Sequence, residues 1–358
     1  ETSDSSTGTN QKQVSDAAKA AADAIAKPEI SSEAGILYDV TNGRVLFEKN
    51  ADEKLAPAST TKLMTALLVL EKANLDDKVT FSKTAVTNLE SGAVKIGLVE
   101  GDQVSVKDSL YALLLKSANE VANGLAEHVS GSISAFAELM NARAAELGCT
   151  NTHFVNPNGL NSDQQYTTCR DMAKIAAAAF ANKTLCEIDS TLNYKFPATK
   201  AAAARTITPG HKMLYPNDSR YYAGIVGGKT GYTSKAGNTL VTCVEKNGVR
   251  MVAVILKSKS THYEDTKKML DYGYQYVNTE KSGSTSAGKQ TTAGHWVQDN
   301  GSWRYEFADG TKAVGTIYTI DAADFGFDTD GKMVTGWKMY GTEWHYFERN
   351  GMMVKSAW

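Results

Sequence analysis

The β-favouring stretches of the chain lie towards its two ends. In residues 34–49 the runs AGILYDV and RVLFEK flank an Asn-Gly pair at 42–43, which is a strong signal for a hairpin turn. Strand patterns return in YAGIVGGKTGYT at 222–233 and in NTLVTCVEKNGVRMVAVILK at 238–257, with a second Asn-Gly pair at 247–248. The sequence therefore predicts antiparallel strands in both regions.

Between these regions, residues 59–182 are dominated by apolar positions at helical spacing. The apolar residues of the first helix are Leu63, Met64, Leu67, Leu68 and Leu70. They leave little polar face, so this helix is predicted to be buried. A last amphipathic helix is predicted near Tyr263–Tyr276. Strands at both ends with helices between them predict an α+β fold, in which helices cover one antiparallel sheet built from both ends of the chain.

The composition changes on either side of this region. Residues 1–30 are rich in Ser, Thr, Ala and Lys. They cannot bury enough apolar surface to offset the entropy of ordering, so we expect a tether in which an Ala-rich helix can begin. Residues 281–292, KSGSTSAGKQTT, are predicted to form a flexible linker. The domain between them is expected to span residues 31–280.

Residues 293–358 are rich in aromatics and glycine and contain a repeat. Asp-Gly or Asn-Gly pairs recur at spacings of 21 and 20 residues, with their glycines at Gly310, Gly331 and Gly351. Tryptophans seven residues apart occur in the first and last units, at Trp296 and Trp303 and at Trp337 and Trp344. A period near 20 residues predicts short hairpins stacked on one another, because a single unit lacks a core of its own.

Charge and cysteine content exclude several functions. A formal net charge of −2 over 358 residues leaves no basic face for nucleic acid or an anionic membrane. No apolar run reaches the roughly 18 residues of a membrane-spanning helix. The cysteines, which show no Cys-x-x-Cys pair, are Cys149, Cys169, Cys186 and Cys243. We expect buried free thiols or one disulfide, and no metal or cofactor.

The stretch PASTTKLM at 57–64 places a hydroxyl and an amine three residues apart. On a helix Ser59 and Lys62 share a face, so the amine can reach the hydroxyl. Lysine can act as the base that activates serine where burial and a nearby cation lower its pKa from about 10.4 towards neutrality. The helix start would also help to stabilise an oxyanion. Ser59 could instead be an ordinary helix N-cap, and the two roles can coexist.

Two further segments strengthen the catalytic interpretation. Ser117 and Asn119 lie two residues apart in LLLKSANEVAN, where a loop between helices would project both side chains the same way. Lys229, Thr230 and Gly231 lie on a β-run in VGGKTGYTSKAGN, where glycine allows a ligand to approach the backbone. The ordered set of Ser-x-x-Lys, Ser-x-Asn and Lys-Thr-Gly is far more specific than any one of these motifs.

With these motifs, the sequence resembles the penicillin-binding, serine-active D-alanyl-D-alanine peptidases, and among them the low-molecular-mass D,D-carboxypeptidases. The resemblance covers about residues 31–276 and includes NTHFVNPNGL and MLDYGY. It implies a five-stranded antiparallel sheet flanked by helices. It also implies an enzyme that removes the terminal D-alanine from peptidoglycan pentapeptide through an acyl-enzyme and that β-lactams inhibit.

The resemblance also implies roles for the residues of the first two motifs. Ser59 would be the acylated nucleophile and Lys62 its base. Ser117 would help to carry the proton to the leaving D-alanine, and Asn119 would hold the peptide amide.

In the third motif, the resemblance implies that Lys229 and Thr230 bind the substrate carboxylate beside Gly231. The backbone N–H of Tyr232, with that of the nucleophile, would form the oxyanion hole. An arginine that assists with the carboxylate in the family aligns with His262 here.

Three alternatives remain open. The leaving group could be a crosslinked side chain, which would make the enzyme an endopeptidase. A β-lactamase shares the nucleophile and base, but the stretch FVNPNGLN lacks the Glu that class A enzymes use for deacylation. A non-catalytic wall-binding or adhesion protein is the third.

The repeats resemble the cell-wall or choline-binding repeats of exported Gram-positive proteins, where aromatics can cage a quaternary ammonium group. The candidate ligand-binding aromatics are Trp303, Tyr305, Trp337, Trp344 and Tyr346. The same side chains could instead only pack the repeats together. The chain begins at Glu1 without an initiator Met or an apolar signal segment. We therefore expect an exported, extracellular protein attached to the cell wall.

Overall fold

The computed structural model describes residues 16–285, 294–299, 301–307, 310–320, 323–340 and 343–354. The chain forms two compact units. One is Ala26–Tyr274, which contains all three motifs, and the other is Gln275–Trp358 together with the N-terminal residues up to Ile25.

The strands of the larger unit are β1 (Ala34–Asp39), β2 (Arg44–Lys49), β3 (Lys78–Thr80), β4 (Gln103–Ser105), β5 (Tyr194–Phe196), β6 (Arg205–Ile207), β7 (Ile225–Thr233), β8 (Gly237–Lys246) and β9 (Val249–Ser258). Five of them form one antiparallel sheet in the order β2-β1-β9-β8-β7, and β3–β4 and β5–β6 form two small sheets. Because β1 pairs with β9, the N-terminal hairpin joins the C-terminal strands, which confirms the predicted α+β fold.

Both Asn-Gly pairs lie in hairpin connections, as predicted. Asn247 and Gly248 join β8 to β9 with φ angles of 51° and 70°, the positive values that a two-residue type I′ turn requires. Gly43 has a φ of 65° in the connection between β1 and β2. The turn residues therefore fix the ends of β1, β2, β8 and β9, four of the five strands of the sheet.

The helices are α1 (residues 16–23), α2 (Lys62–Lys72), α3 (Lys83–Thr87), α4 (Val106–Leu115), α5 (Asn119–Ser130), α6 (Ile133–Glu146), α7 (Cys169–Phe180), α8 (Lys183–Asp189) and α9 (His262–Thr285). Helix α2 is buried as predicted, with Leu63 and Met64 fully inaccessible to solvent. Among the described residues, no helix is long and apolar enough to cross a lipid bilayer. All four cysteines are free thiols.

Alternate residues of the central strands contact helices on opposite faces of the sheet. Ile36 and Val254 belong to the core that includes α2, α5 and α7. On the other face, α9 packs so closely that a Cβ atom at Gly273 would lie 2.4 Å from Leu37 and 2.7 Å from Met251. The period of two along each strand thus places helices on both sides of the sheet.

Two predicted boundaries differ from the structure. Helix α9 continues through Thr285 instead of ending near Tyr276, so the first five positions of the predicted linker are helical. No proline interrupts this stretch, and extending an existing helix fixes only one further residue for each added hydrogen bond. The remainder of the predicted linker, residues 286–292, lies outside the described residues.

Part of the predicted tether is also helical. Residues 1–15 lie outside the described residues, but residues 16–23 form α1, in which Ala22 is fully buried. The Tyr276 hydroxyl donates a hydrogen bond of 2.6 Å to Asp23 within the same unit. Alanine has the highest helix propensity, so this run forms the helix that its composition favours.

The repeats form three hairpins, as predicted: β10 (Gly294–Asp299) with β11 (Ser302–Phe307), β12 (Ile317–Ile320) with β13 (Ala323–Gly326), and β14 (Gly336–Tyr340) with β15 (Glu343–Phe347). The first two hairpins share a buried core of Tyr305, Phe307, Ala313, Tyr318, Ile320 and Phe327. Backbone hydrogen bonds join successive units, such as 2.7 Å from Met333 N to Trp303 O. Stacking thus supplies the core that a single hairpin lacks.

Candidate active site

Ser59 lies in a 3₁₀ turn, Ala58–Thr61, directly before α2. The N-cap of this turn is Pro57, and no side chain caps the turn or α2. The interpretation of Ser59 as an ordinary N-cap is therefore wrong, because its hydroxyl bonds a side chain instead of a backbone N–H. Ala58 before it has a φ of 49°, a left-handed conformation that is uncommon for a residue with a Cβ atom.

Lys62 begins α2 and is fully buried. Its Nζ lies 2.9 Å from Ser59 Oγ, 2.8 Å from Asn119 Oδ1 and 2.5 Å from the backbone oxygen of Asn158. Burial lowers the pKa of Lys62 well below its usual value, the charge of Lys229 lowers it further, and Glu120 opposes both. A neutral amine has two N–H groups and one lone pair. The two oxygens from Asn119 and Asn158 occupy the N–H groups, so the lone pair is left for the Ser59 hydroxyl.

Ser117 and Asn119 lie where α4 meets α5. Ser117 has a φ of 58°, again in the left-handed region. Strained residues of this kind cost of order 1–3 kcal/mol and cluster at functional sites. Ser117 Oγ accepts a hydrogen bond of 3.1 Å from Lys229 Nζ. The second motif therefore bridges the amines of the other two.

Lys229 lies in β7 and is almost completely buried. Burial lowers its pKa, whereas the carboxylate of Asp189 raises it. Burial also raises the pKa of Asp189, which accepts a hydrogen bond of 2.6 Å from the backbone N–H of Gly228. Burial and the charge of Lys229 lower the pKa of His211 to about 3, so this imidazole is neutral. Lys229 is thus the cation of a buried cluster that includes one carboxylate.

Gly231 allows β7 to pass directly against the turn that holds Ser59. A Cβ atom at this position would lie 2.8 Å from Ser59 N and 2.3 Å from Thr239 Oγ1. Thr239 in turn donates a hydrogen bond of 3.0 Å to the backbone oxygen of Pro57. The strand and the turn that holds Ser59 are therefore in close backbone contact; the motif had suggested room for a ligand at Gly231, and the described neighbour is this turn.

A loop that follows α6 holds the other side of the turn. Gly159 has a φ of 87°, and a Cβ atom there would lie 1.8 Å from the backbone oxygen of Ala58. The Asn158 side chain donates 2.9 Å to Asn123 Oδ1 in α5. The loop thereby places the Asn158 carbonyl on Lys62.

These elements surround a cleft of about 690 Å³. Its lining includes the predicted residues Ser59, Ser117, Asn119, Thr230, Gly231 and Tyr232. Lys62 and Lys229 lie behind them in the protein interior. His262 also lines the cleft, and the guanidinium there belongs to Arg220, which bonds Asp218 and lies 5.2 Å from the Tyr263 ring.

The residues that sequence reasoning missed are Glu120, Asn158, Asp189 and Arg220. Asn158 contacts Lys62 through its backbone carbonyl, Glu120 and Asp189 are buried, and Arg220 reaches the cleft from another loop. No motif marks any of them. For Asn158 the available sequence signal is NTHFVNPNGL, which supports the family resemblance without marking Asn158 itself.

A D-alanyl-D-alanine carboxypeptidase family model, Peptidase_S11, matches residues 20–260. The chain belongs to this peptidase family. It is 35% identical over 263 residues to the D-alanyl-D-alanine carboxypeptidase DacF of Bacillus subtilis, covering 70% of this chain and 64% of that protein. It is 34% identical over 274 residues to DacC of Escherichia coli, covering 73% of this chain and 65% of that one.

Solved structures of similar sequence share the fold of this chain. The crystal structure of the Streptomyces K15 DD-transpeptidase superposes with a TM-score of 0.64 at 31% identity, covering 70% of this chain and 100% of that chain. The chain spans a little under two thirds of the length of DacF and DacC. A choline-binding repeat model matches residues 313–358.

The aromatic candidates in the repeats of this S11 protein differ in their surroundings. Tyr305 is 4% exposed and packs in the shared core, so its assignment as a ligand-binding residue is wrong. Trp303 lines a pocket of about 330 Å³ with Trp296, which the sequence analysis had not proposed for binding. The other members of this pocket are Phe325, Met333, Arg349 and Asn350. The remaining candidates, which are solvent-exposed, are Trp337, Trp344 and Tyr346.

Replacing Gly231 with Ala tests the backbone contact between β7 and the nucleophile. The added methyl group must displace the Ser59 turn or Thr239, and a misplacement of about 1 Å can cost about 100-fold in rate. We expect acylation by a fluorescent penicillin to fall by about this factor. Gly248→Ala, in the β8–β9 turn, places a Cβ atom in a left-handed conformation, which should cost about 1–2 kcal/mol of stability and leave acylation unchanged. Equal acylation of Gly231→Ala and the wild type would contradict this role.

Replacing Lys62 with Met removes the amine and keeps a side chain of similar length. General base catalysis contributes roughly 10²–10⁴-fold, so penicillin acylation should fall at least about 100-fold. In the wild type, acylation should rise with pH as Lys62 loses its proton and level off well below the usual lysine pKa of about 10.4. Lys72→Met, at the exposed end of α2, is the control. Normal acylation of Lys62→Met would remove lysine from its role as base.

Proposed function

We propose that this protein is a serine D,D-carboxypeptidase that removes the terminal D-alanine from peptidoglycan pentapeptide through an acyl-enzyme on Ser59. The observation that supports this most directly is the 2.9 Å contact between Ser59 Oγ, which lines the cleft, and the buried amine of Lys62 behind it. Removal of D-alanine from the stem would limit the donors available for crosslinking.

The first step forms the acyl-enzyme. Lys62 Nζ takes the Ser59 proton while Oγ bonds to the carbonyl carbon of the penultimate D-alanine. The backbone N–H groups of Ser59 and Tyr232 would stabilise the oxyanion. The amide C–N bond then breaks, and Ser117, whose Oγ accepts a hydrogen bond of 3.1 Å from Lys229 Nζ, would relay the proton that Lys62 took to the leaving amine of D-alanine.

Binding of the substrate requires a receptor for its terminal carboxylate. Thr230 lines the cleft, and the cation behind it is Lys229. The desolvated ammonium attracts a carboxylate more strongly than an exposed lysine would. Asn119, whose amide is already oriented by Lys62, would hold the peptide amide of the acyl donor.

Water completes turnover: its oxygen bonds to the acyl carbon, the ester C–Oγ bond breaks, and Ser59 Oγ takes up the proton that the water loses. For a β-lactam adduct we expect slow release. The loop from Phe154 to Asn161 contains no carboxylate, and Glu90, which lines the cleft, is solvent-exposed and contacts Asn161. β-Lactams should therefore act as inhibitors, whereas a β-lactamase would hydrolyse them.

A separate experiment distinguishes carboxypeptidase from endopeptidase activity. The protein is incubated with a pentapeptide and with a crosslinked dimer, and the products are compared by mass.

We also propose that the protein is exported and that its repeats attach it to a cell-wall polymer. The match to a choline-binding repeat and the aromatic pocket around Trp296 and Trp303 support this proposal. The two rings stand nearly perpendicular, at 87° and 6.4 Å between centroids. Two faces at right angles are suited to a small cation or to the apolar face of a sugar.

Ser59→Ala should abolish both penicillin labelling and release of D-alanine from a D-Ala-D-Ala peptide, because no other group in the mechanism forms the acyl bond. Thr60→Ala, the neighbouring hydroxyl that bonds the Pro57 carbonyl, should keep both activities with some loss of stability. Turnover by Ser59→Ala would refute the proposed enzyme. A wild-type protein without turnover that still binds cell walls would support the adhesion alternative.

Trp303→Ala should weaken binding to purified cell walls about tenfold, the effect expected from an aromatic contact of 1–2 kcal/mol. Met339→Ala, another exposed apolar residue of the repeats that does not line the pocket, should bind as the wild type. Neither substitution should change hydrolysis of a soluble pentapeptide. Unchanged wall binding by Trp303→Ala would show that this pocket is not the attachment site.

A further inference from the structure

We propose that Glu120 is a positioning residue of the active site, whose buried carboxylate fixes one wall of the cleft to the helix bearing Asn119 and provides a negative charge near Lys62. This inference rests on the proposed roles of Ser59 and Lys62. No motif marks Glu120, which follows the Ser-x-Asn motif in the sequence.

Glu120 lies in the first turn of α5 and is fully buried. Its Oε1 accepts backbone hydrogen bonds from three successive residues, at 2.7 Å from Ile96, 2.8 Å from Gly97 and 3.4 Å from Leu98. Gly97 has a φ of 88°, which lets consecutive N–H groups converge on one anion. The carboxylate thus holds residues 96–98 and does not cap its own helix. These residues belong to the segment of residues 90–99, which is called the 90–99 segment below.

The same segment is bound to the catalytic asparagine. The backbone oxygen of Val94 accepts hydrogen bonds from Asn119 N at 2.9 Å and from Asn119 Nδ2 at 3.0 Å. These bonds leave Asn119 Oδ1 directed at Lys62 Nζ. Asn119 and Glu120, which are adjacent at the start of α5, therefore bind the 90–99 segment, and Asn119 also binds Lys62.

This segment continues into the cleft. Residues 90–94 line the cleft together with residues of β7 and α9. Arg205 Nη2 donates 2.5 Å to the backbone oxygen of Ile96, so the segment is held from a second side. A shift of the Glu120 carboxylate would move the wall and the Asn119 amide together.

The charge of Glu120 acts on the base as well. Oε2 is buried and accepts no hydrogen bond from any residue that the structure describes. The charged groups that act on Lys62 are Lys229 in β7, which lowers its pKa, and Glu120 in α5, which raises it. The direct partners of Lys62, on the Ser59 turn, α5 and the Asn158 loop, are neutral.

A purely structural carboxylate would affect stability without changing the pH dependence of catalysis. Asp102 provides the matched comparison, because it is buried and accepts a hydrogen bond of 2.8 Å from Val99 N, the next residue along the same segment. Its other oxygen accepts 2.8 Å from Lys200 N, and none of its hydrogen bonds in the described part of the chain involves α5.

The test is the pH profile of penicillin acylation for the full chain and three variants. Glu120→Gln removes the negative charge and keeps a hydrogen-bond acceptor, so Lys62 should lose its proton more readily. The acidic limb of the profile, where the acylation rate rises with pH, should therefore move to lower pH by a few tenths of a unit or more. Glu120→Asp keeps the charge on a shorter side chain. It should leave the limb in place and lower the plateau rate about tenfold or more. Asp102→Asn should match the wild type in both limb and plateau.

An unmoved limb in Glu120→Gln, or a shift to higher pH, would overturn the electrostatic part of the proposal. A wild-type plateau in Glu120→Asp would overturn the positioning part. If Glu120→Gln does not fold, Glu120→Asp still decides the positioning role. Absence of acylation in the wild type itself would contradict the proposed function of Ser59 and leave the Glu120 contacts unaddressed, so the two failures are distinguishable.

Discussion

The burial of one lysine amine beside one serine hydroxyl is the constraint on which the rest of this site depends. Transfer of an ammonium ion out of water costs several kcal/mol, so the amine of Lys62 favours its neutral form. Neutral lysine still needs hydrogen-bond partners, and two oxygens from Asn119 and Asn158 satisfy it. What remains is a lone pair that faces Ser59, as the proposed role of Lys62 as the base for this serine requires.

Several strained or crowded backbone positions follow from this arrangement. Ala58 and Ser117 adopt left-handed conformations, and Gly159 and Gly231 are in contact distance of the turn that holds the nucleophile. Each of these costs free energy in isolation. They persist because the sheet, α2 and α5 hold the three motifs together at one cleft, where Ser59, Lys62 and Lys229 meet.

The repeats face a different constraint, which is the small size of each hairpin. Each hairpin is too small to bury its aromatics, so rings from neighbouring units form one core, and other rings remain at the surface. Whether an aromatic side chain packs or binds is therefore decided by its neighbours. Tyr305 and Trp303 lie on the same strand two residues apart, yet Tyr305 enters the core and Trp303 lines a pocket.

The sequence by itself determined the features that local chemistry controls: both Asn-Gly hairpins, the buried α2, the hairpin repeats and the three motifs with their order. Only the tertiary structure decided which groups surround those motifs. Glu120, Asn158 and Asp189 reach the site through burial and backbone geometry, and these depend on segments far apart in sequence. The end of α9 and the burial of Tyr305 were mispredicted for the same reason, because a local pattern cannot specify which distant surface will cover it.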